Sequence, residues 1–410
     1  MSIKTYCVIL LILATLQNTG CTSNKGSTEV THTLGGEEID TLIFFAGQKL
    51  EKMLAWLENK QELPRSYSQG QLVTTNRSDW TVGFFPGMLW YMYEYSGDDK
   101  WKRQAEKWTD LLEVNKSLDW NTHDLGFMMF NSYGKGYHIT GQPGYKATLL
   151  QTADSLAALF NPKVGTTLSW PWKKHWSHNT IIDNMMNLEL LTWAATHGGD
   201  PIYKDMALEH ALKTKDNHVR SDFSSFHVVD YDKETGAVRA SVTAQGFADE
   251  STWSRGQAWG IYGFTMMYRE TGNLGCLEVA EGMANFFLDH LPEDLVPYWD
   301  FNAPSIPNEP RDASAACIAA SALVELAGLT GNVYYLQAAN NILSSLAQNY
   351  LYPIREENPF MIKHCTGAKP ANSEVDVPLI YADYYFLEAL LRLKHLEEPR
   401  FVSLGINKRS

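Results

Sequence analysis

The most regular feature of the chain is the alternation of apolar helical stretches with short turns that contain glycine. A similar phrase recurs five times, each time where one helical pattern ends and the next begins. The five turns are "YSGDDKW" from Tyr95, "ITGQPGY" from Ile139, "THGGDPIY" from Thr196, "ETGNLGC" from Glu270 and "LTGNVYY" from Leu329. A glycine followed at once by a new helix start is typical of two antiparallel helices joined by a tight turn. The pattern therefore predicts about twelve helices in about six hairpins.

The repeated turns favour a closed ring of hairpins over an open stack, because the repeats are degenerate and unevenly spaced. We therefore predict an all-α fold, an (α/α)6 barrel, in which the first helix of each hairpin lies inside and starts at one common rim. The stretch from Ser224 to Gly246 breaks the helical pattern, since its residues alternate and turn at "DKETG". This alternation predicts a small β-hairpin insertion near the rim.

One predicted helix carries a carboxylate at an unexpected place. The stretch "HNTIIDNMMNLELL", from His178 to Leu191, is interpreted as a mostly buried helix with Asp183 in its first turn. An aspartate at a helix start is most often a cap. Asp183 follows two isoleucines and precedes Asn-Met-Met, so it projects from an apolar wall. A carboxyl group in such surroundings is also a candidate for catalysis.

The other residues predicted at the rim suit a sugar, whose ring faces stack on tryptophan and whose hydroxyls bond to carboxylates. These candidates are Trp80, His123, Asp124, Trp253, Arg255 and Trp259 near helix starts, with His227 and Gln245 on the predicted hairpin. Each has a structural alternative. The tryptophans can be core residues, His123 and Asp124 can form a buried hydrogen-bonded pair, and Arg255 can serve an ion pair. Asp79, Asp312 and Asp376 are interpreted as helix caps rather than catalytic groups.

Composition and charge limit the possible partners. The chain has 410 residues and a formal net charge of -13, and it lacks a basic stripe, which argues against a nucleic-acid partner. His123, His175, His178 and His227 are not at a zinc-binding spacing, and no HExxH or paired-cysteine motif occurs. We therefore expect no metal ion and no cofactor.

The first residues have the pattern of an export signal. Lys4 precedes the apolar run Cys7 to Leu16, which is too short to span a membrane as a helix, and "NTGC" then places Cys21 at a position typical of bacterial lipoprotein acylation. We expect a lipoprotein-type signal over residues 1–21, with an ordinary secretory signal as the alternative. After this signal we expect a flexible tether over residues 22–36, one catalytic domain over 37–398 and a tail over 399–410. The mature protein is then exported, most simply to the periplasm, and touches a membrane only through a lipid on Cys21.

Four motifs together resemble a known enzyme family. They are "HDLGFMMF", "IIDNMMNLELLTWAA", "STWSRGQAWGIYGF" and "LIYADYYFLEALLRL". In order and spacing they resemble the unsaturated glucuronyl hydrolases of glycoside hydrolase family 88, from about Asp79 to about Leu393. The resemblance implies an (α/α)6 barrel. It also implies substrates left by polysaccharide lyases, in which the non-reducing uronic acid has a C4=C5 double bond that the enzyme hydrates.

The resemblance implies roles for individual residues. Asp183 matches the general acid/base, and Asp124 matches the second essential carboxylate. Arg255 matches a segment that faces the uronate carboxylate. The remaining matches are substrate-contacting positions at Trp80, His123, His227, Gln245, Trp253 and Trp259, and a further stacking position at either Trp170 or Trp172.

Two other functions remain open from the sequence. A sister family, the unsaturated rhamnogalacturonyl hydrolases, shares the barrel and the reaction type but acts on pectin fragments. A non-catalytic glycan-binding lipoprotein would also be rich in tryptophan and tethered. The stretch "KHCTGAKPANSEVD" does not match the hydroxyl-and-lysine loop of family members that accept sulfated disaccharides, so the sequence leaves the preference for sulfated substrates open.

Overall fold

The computed structural model describes residues 33–117 and 122–397. The predicted signal segment with Cys21, most of the predicted tether and the predicted tail from 399 lie outside the described residues. The described chain begins within the last residues of the predicted tether. Leu34 is buried and donates its N–H to Asn340 Oδ1, and the first helix begins at Gly36. Because the rest of this segment is polar, the sequence did not predict that Leu34 would be buried against the domain.

Twelve α-helices make up about half of the described chain, and their number agrees with the prediction. They are α1 (Gly36–Trp56), α2 (Phe84–Ser96), α3 (Asp99–Asp110), α4 (Lys135–Thr140), α5 (Pro143–Ala157), α6 (Leu188–Thr196), α7 (Ile202–His218), α8 (Ser254–Thr271), α9 (Leu274–Asp289), α10 (Ala313–Thr330), α11 (Val333–Asn349) and α12 (Ile380–Glu397). A π-helical stretch, Gly126–Gly134, runs directly into α4 and extends that helix at its N-terminal end.

Nine short strands in the described residues form four small antiparallel sheets. They are β1 (Leu63–Ser68), β2 (Gln71–Thr75), β3 (Phe160–Asn161), β4 (Thr166–Thr167), β5 (His178–Ile181), β6 (Val228–Tyr231), β7 (Val238–Val242), β8 (Cys365–Ala368) and β9 (Ser373–Val377). Three sheets are pairs, β1 with β2, β3 with β4 and β8 with β9, whereas β5, β6 and β7 form a three-stranded sheet. The predicted hairpin is confirmed as β6 and β7, and β5 extends it.

The first helices of the hairpins contact one another in a closed ring. The order of contact is α2, the π-helical stretch with α4, α6 with the turn before it, α8, α10 and α12, and α12 returns to α2. The second helices α3, α5, α7, α9 and α11 each pack on the first helix of their own hairpin, and α1 packs on α12. Because each second helix returns the chain to the end where its first helix started, the first helices are parallel to one another. Their N-terminal ends therefore lie at one rim of the ring.

Glycine ends four of these helices in the left-handed backbone region, which side chains rarely adopt. The four glycines are Gly97 after α2, Gly141 after α4, Gly272 after α8 and Gly331 after α10. The fifth turn has Gly198 at positive φ, two residues beyond the end of α6. Asn273 and Asn332 then cap α9 and α11 by accepting backbone N–H bonds. In the repeated turn sequence, the glycine thus ends the first helix of a hairpin and the residues after it begin the second helix.

The inner helices are buried almost from end to end, because neighbours cover them on every side. In α10 every residue from Ala313 to Ala327 is buried, and most of them are small. This helix is long and apolar enough to cross a membrane, but 83% of it lies inside the protein. Its composition is that of a core helix.

Polar groups in the ring below the rim are paired with one another. Glu388 accepts hydrogen bonds from Tyr91, Ser321 and Tyr262, and Arg392 donates to Tyr262 and to the Ser321 carbonyl. Burial alone would raise the pKa of Glu388, but Arg392 and these hydrogen bonds outweigh burial and lower it. This region is a structural network of hydrogen bonds and ion pairs, in which Arg392 Nε alone among the atoms of Glu388 and Arg392 has no hydrogen-bond partner within the described residues.

The stretch from His178 to Leu191 is not one helix, so that prediction is wrong. Its first four residues are β5, a 3-10 turn covers Ile182–Asn187, and α6 begins only at Leu188. Periodicity does not distinguish a short buried strand from a buried helix, and pairing with β6 decides the outcome here. Asp183 still lies in the first turn of a helical segment, as predicted.

Candidate active site

A small pocket opens at the rim where the first helices start. Its empty volume is about 370 Å³ including the mouth, at the small end of the usual range for ligand pockets. The lining residues are Trp80, His123, Asp124, Trp170, Ile181, Asp183, Gln245 and Arg255. Six of the nine predicted site residues therefore meet in one place, although they come from distant parts of the chain.

Asp183 reaches the pocket from the 3-10 turn that follows β5. The next residue, Asn184, holds this turn in place, because it accepts a bond from the Ser169 hydroxyl and donates to the Thr167 carbonyl and hydroxyl. The Asp183 side chain is 13% exposed, and its Oδ2 has no hydrogen-bond partner among the described residues. A rigid backbone thus presents an unsatisfied carboxyl oxygen to the pocket.

The surroundings of Asp183 favour its neutral form. Burial raises its pKa to about 7, Arg255 opposes the rise, and the nearby carboxyl of Asp124 adds to it. A carboxyl group with such a pKa holds a proton over much of the neutral range and can transfer it.

His227 approaches Asp183 from β6 in a fixed tautomer. Its Nδ1 accepts the backbone N–H bonds of Ala244 and Gln245, so the ring proton lies on Nε2. That Nε2 is 3.8 Å from Asp183 Oδ2 and makes no hydrogen bond within the described chain. Burial lowers the pKa of His227 to about 3, with Arg255 adding to the effect, so the ring is neutral at ordinary pH.

Asp124 lies just before the π-helical stretch, beside His123. His123 Nε2 is 3.2 Å from Asp124 Oδ1, and Thr122 donates its hydroxyl to Asp124 Oδ2. Burial raises the pKa of Asp124, while His123 and the Thr122 bond oppose that rise. Both residues line the pocket, and they are close neighbours, but His123 Nε2 makes no hydrogen bond within the described residues, so the alternative of a hydrogen-bonded pair is not supported.

Arg255 is the cation of the pocket and also an anchor for β8. It donates to Asp312 Oδ2 at 2.7 Å and to the carbonyl oxygens of Thr366 and Gly367. Asp312 also caps α10 through Ser314, as predicted, whereas the same prediction for Asp376 is wrong because that residue lies in β9. Three of the five guanidinium N–H groups are thus committed, which leaves two for a ligand. The structural alternative for Arg255 is correct, and it does not exclude a binding role.

Aromatic rings form one side of the pocket. Trp80 is packed against Tyr381, with ring centroids 5.0 Å apart, and against Phe127 at 5.4 Å. Of the two alternatives for a further tryptophan, Trp170 lines the pocket, whereas Trp172 is 55% exposed away from it. Two indole rings are therefore available to a sugar.

Three predicted contact residues lie outside the pocket lining. His227 and Trp253 lie behind the residues that line the pocket, and their ring centroids are 4.6 Å apart. The Arg255 guanidinium carbon lies 4.5 Å from the centroid of the Trp253 ring. Trp259 is fully buried and packs on Phe127, so it does not line the pocket, and its predicted substrate contact stays a prediction. Trp259 lies one helical turn further along α8 than Arg255, which places it about 6 Å deeper in the ring of helices than Arg255.

The sequence analysis missed some residues that shape the site. Ile181 lines the pocket from the end of β5, and Tyr381 lies under both Trp80 and Arg255. Tyr381 stood within one of the four motifs, but nothing in its spacing distinguished it from core aromatics. In the described ranges, no group of three or more His, Cys, Asp or Glu side chains could hold a metal ion.

The pocket combines groups that define a class of enzyme. A carboxyl with a neutral-range pKa, a second carboxyl, a cation with two donors to spare and two indole rings suit acid/base chemistry on an anionic sugar. Three buried side-chain atoms without a hydrogen bond in the described residues cluster here, namely Asp183 Oδ2, His227 Nε2 and His123 Nε2. A buried polar group without a partner requires an explanation, and for three such atoms around one pocket a polar ligand that pairs with them is one. The fold and site are those of a carbohydrate-active hydrolase.

Comparison with known proteins specifies the class. The sequence pattern of Glycosyl Hydrolase Family 88 matches residues 51–397. An unsaturated glucuronyl hydrolase from Formosa agariphila is 41% identical over 398 residues, which are 95% of this chain and 98% of the relative. The crystal structure of an unsaturated glucuronyl hydrolase specific for heparin superposes with a TM-score of 0.84 at 41% identity, over 89% of this chain and 99% of that chain.

A third relative was solved with a ligand. It is a variant of the unsaturated glucuronyl hydrolase from Streptococcus agalactiae complexed with dGlcA-GalNAc6S, and it superposes with a TM-score of 0.75 at 30% identity, over 89% of this chain and 93% of that chain. The chain belongs to Glycosyl Hydrolase Family 88 and is an enzyme of the unsaturated glucuronyl hydrolase class. The predicted family is confirmed, and the alternative of a non-catalytic binding protein is excluded.

Proposed function

We propose that the protein releases the unsaturated uronic acid from the non-reducing end of glycosaminoglycan-type oligosaccharides by hydrating its C4=C5 double bond. Asp183 is the general acid and base, and Asp124 is the second carboxyl of the reaction. The observation that carries the proposal is the protonatable Asp183, which faces the pocket with an unsatisfied oxygen. The heparin-specific relative and the sulfated ligand of the streptococcal relative support a glycosaminoglycan origin over a pectin one.

The uronate carboxylate fits the two free N–H groups of Arg255, which lies in the pocket lining with Asp183. Charge-assisted bonds from a guanidinium to a carboxylate are strong and directional. Trp80 and Trp170 supply ring faces for the sugar, and Gln245 supplies an amide whose nitrogen is already tied to the Gly367 carbonyl at 3.2 Å. The Gln245 amide oxygen is therefore oriented as an acceptor for a sugar hydroxyl.

The chemistry follows from the electronic structure of the substrate. The ring oxygen and the C4=C5 bond form an enol ether, so a proton from Asp183 adds to C4 and leaves an oxocarbenium-like centre at C5. Water adds to C5 and gives one proton back to Asp183, which restores the enzyme. The resulting hemiketal opens and releases the neighbouring sugar. One carboxyl thus acts twice, and the spacing rule for paired carboxylates in ordinary glycosidases does not apply.

The assay for the proposal uses the loss of ultraviolet absorbance. The C4=C5 bond is conjugated with the carboxylate, and hydration removes the chromophore. We would incubate the protein with unsaturated disaccharides from chondroitin, hyaluronan, heparin and pectin lyase digests, with Asp183→Asn in parallel. Bleaching of glycosaminoglycan products that disappears in the variant supports the proposal. Bleaching of pectin products alone would show that the protein is an unsaturated rhamnogalacturonyl hydrolase. If the folded protein bleaches none of the substrates, the proposed reaction is refuted.

We also propose the finer fold and the location. The closed ring of first helices, with second helices packed on them, corresponds to an (α/α)6 barrel.

The lipoprotein-type signal predicts an exported, periplasmic protein acylated at Cys21. Expression of the full chain in a diderm bacterium with a radiolabelled fatty acid tests this, with Cys21→Ser as the control. Label that persists in Cys21→Ser, or a protein that stays in the cytoplasm, would contradict the proposal.

A further inference from the structure

The two segments that carry the pocket carboxyls are joined by one buried asparagine. Asn187 is the last residue of the 3-10 turn that contains Asp183, and it faces the start of the π-helical stretch that follows Asp124. Its Oδ1 accepts the Phe127 N–H at 2.9 Å, and its Nδ2 donates to the Asp183 carbonyl oxygen at 3.4 Å. Asn187 is 1% exposed, so its bonds lie in surroundings that strengthen them. One side chain thus bonds to both segments.

The bond to Phe127 replaces a cap that the local sequence does not provide. The first N–H groups of a helix have no partner within it, and a side chain just before the helix usually accepts one of them. Leu125 stands at that position and has no acceptor. Asn187, 60 residues further along the chain than Phe127, supplies the acceptor instead. The start of the π-helical stretch is therefore held by the turn that carries Asp183.

Asp124 is tied to the same junction through its backbone. Its carbonyl oxygen accepts the Met128 N–H at 2.9 Å, which makes Asp124 part of the first turn of the π-helical stretch. Phe127 lies in that turn as well, so the turn and Asn187 can only move together. A shift of the turn relative to Asn187 would change the separation of the two carboxyls.

A glycine makes the close approach of the two segments possible. A Cβ at Gly126 would lie 2.6 Å from Asn187 Cα and 2.8 Å from Asn187 Oδ1, which is closer than non-bonded atoms allow. Gly126 is not among the glycines at positive φ, so the space between the segments, and not the backbone conformation, requires a glycine here. The contact and the hydrogen bonds are independent signs of one tight junction.

We propose that Asn187 is a positioning residue that fixes the separation of Asp183 and Asp124, and that Gly126 provides the space for it. This inference rests on the proposed function, in which the two carboxyls act on one substrate. Asn187 does not line the pocket, so it acts through the backbone of both segments and not through the sugar. The separation matters because Asp124 contributes to the raised pKa of Asp183 and because a small displacement of an acid slows proton transfer steeply.

Kinetics with Asn187→Leu test the inference, because leucine branches at the same atom and forms neither hydrogen bond. We expect kcat to fall at least about tenfold through misplacement of the acid, with KM nearly unchanged because the sugar contacts are untouched. The basic limb of kcat/KM should move to lower pH, since a looser turn admits water to Asp183 and burial is the main cause of its raised pKa. A raised KM with an unchanged kcat would assign Asn187 to substrate binding and overturn the inference.

Asn340→Leu is the matched control. Asn340 is also buried, accepts the Leu34 N–H at 2.7 Å and donates to the Leu34 carbonyl oxygen at 3.4 Å, but it lies on α11 and outside the pocket lining. We expect both variants to unfold at a lower temperature and only Asn187→Leu to lose kcat. If Asn187→Leu is destabilised like the control but keeps its kcat and its basic limb, Asn187 is merely structural and the inference fails.

Two further variants separate positioning from general damage. Asn187→Asp keeps an acceptor for the Phe127 N–H, so it should recover part of the kcat that Asn187→Leu loses, and its added carboxyl should move the basic limb to higher pH. Gly126→Ala changes no polar group but forces the segments apart, so it should lower kcat with little change in KM. If Asn187→Asp recovers nothing and Gly126→Ala keeps full activity, the junction does not place the carboxyls.

A measurement without substrate distinguishes this inference from the proposed function. Carbon-13 NMR of aspartate-labelled protein follows the titration of Asp183, whose signal is the one that Asp183→Asn lacks. We expect Asp183 to titrate at lower pH in Asn187→Leu than in the unmodified protein, and without change in Asn340→Leu. The same titration in all three proteins would overturn the inference, even if the bleaching assay succeeds. The expected shift in a protein that bleaches no substrate would refute the proposed reaction and support the junction.

Discussion

Asp183 Oδ2 and His227 Nε2 face each other across 3.8 Å, and neither atom makes a hydrogen bond within the described part of the chain. His227 already bears its proton on Nε2, since its Nδ1 accepts two backbone N–H groups. It therefore cannot take a proton from Asp183, but it can donate to Asp183 once that group is ionised. The proton of Asp183 is therefore available to the ligand in the pocket, and the ionised Asp183 that exists between the two proton transfers gains a donor.

The pH dependence of turnover follows from this arrangement. Asp183 must be protonated to add a proton to C4, and burial raises its pKa to about 7. We expect kcat/KM to fall as the pH rises through about 7, because the acid form is lost. Initial bleaching rates at low substrate concentration over a pH series measure this. A basic limb at a much higher pH would contradict the assignment of Asp183 as the acid.

Substitution of either pocket carboxyl should abolish most of the activity. We expect Asp183→Asn and Asp124→Asn each to lower kcat by at least about 10²-fold, which is the usual scale for an acid/base group. Glu94→Gln is a matched control: burial raises the pKa of Glu94 to about 7 as well, but Glu94 does not line the pocket. Near-normal rates in Asp183→Asn, or an equal loss in Glu94→Gln, would refute the assignment.

The sequence predicted the hairpins and most of the site because those features are encoded locally. A helix stop at glycine, such as Gly272, and a start at asparagine, such as Asn273, depend only on residues close in the chain. The carboxyls could be placed because they stand at helix starts, and the starts share a rim.

What the sequence could not predict depends on long-range contacts. β5 forms because it pairs with β6, which lies about 50 residues further along the chain, and no local pattern distinguishes it from a helix. Trp253 and Trp259 looked equivalent in one motif, but Trp253 stands at the start of α8 and supports the pocket, whereas Trp259 lies nearly two helical turns deeper and is a core residue. Likewise, the anchoring of Arg255 requires Asp312 and β8, which only the folded chain brings together.

Arg255 should affect both substrate binding and stability. We expect Arg255→Lys to raise KM for uronate substrates at least about tenfold, because a lysine loses the fork geometry that matches a carboxylate. It should also weaken the anchor to β8. Asp312→Asn is the matched control, since it perturbs the same ion pair without removing the guanidinium, and it should lower stability while KM changes little. An unchanged KM in Arg255→Lys would make Arg255 purely structural.

Activity should not depend on a metal ion. The acid, the second carboxyl and the guanidinium already supply the proton and the charge that hydration requires. We expect dialysis against a strong chelator to leave kcat and KM unchanged. Activity that is lost on chelation and restored by one divalent ion would contradict this expectation.

The buried carboxyl of Asp183 should make the fold less stable as the pH rises. Its pKa is about 7 in the folded protein and close to the ordinary 3.8 when unfolded, so the folded state binds more protons between those values. By linkage, stability is highest at the low end of this window and falls as the pH rises through it. Asp183→Asn cannot ionise, so its stability relative to the unmodified protein should increase from acidic to neutral pH.

Urea unfolding of both proteins at several pH values measures this difference, and Asp289→Asn, an exposed aspartate at the end of α9, serves as the control. We expect the control to follow the unmodified protein at every pH. A constant difference between Asp183→Asn and the unmodified protein would mean that Asp183 is ionised throughout. In that case the acid of the reaction would have to be another group, even if the variant is inactive.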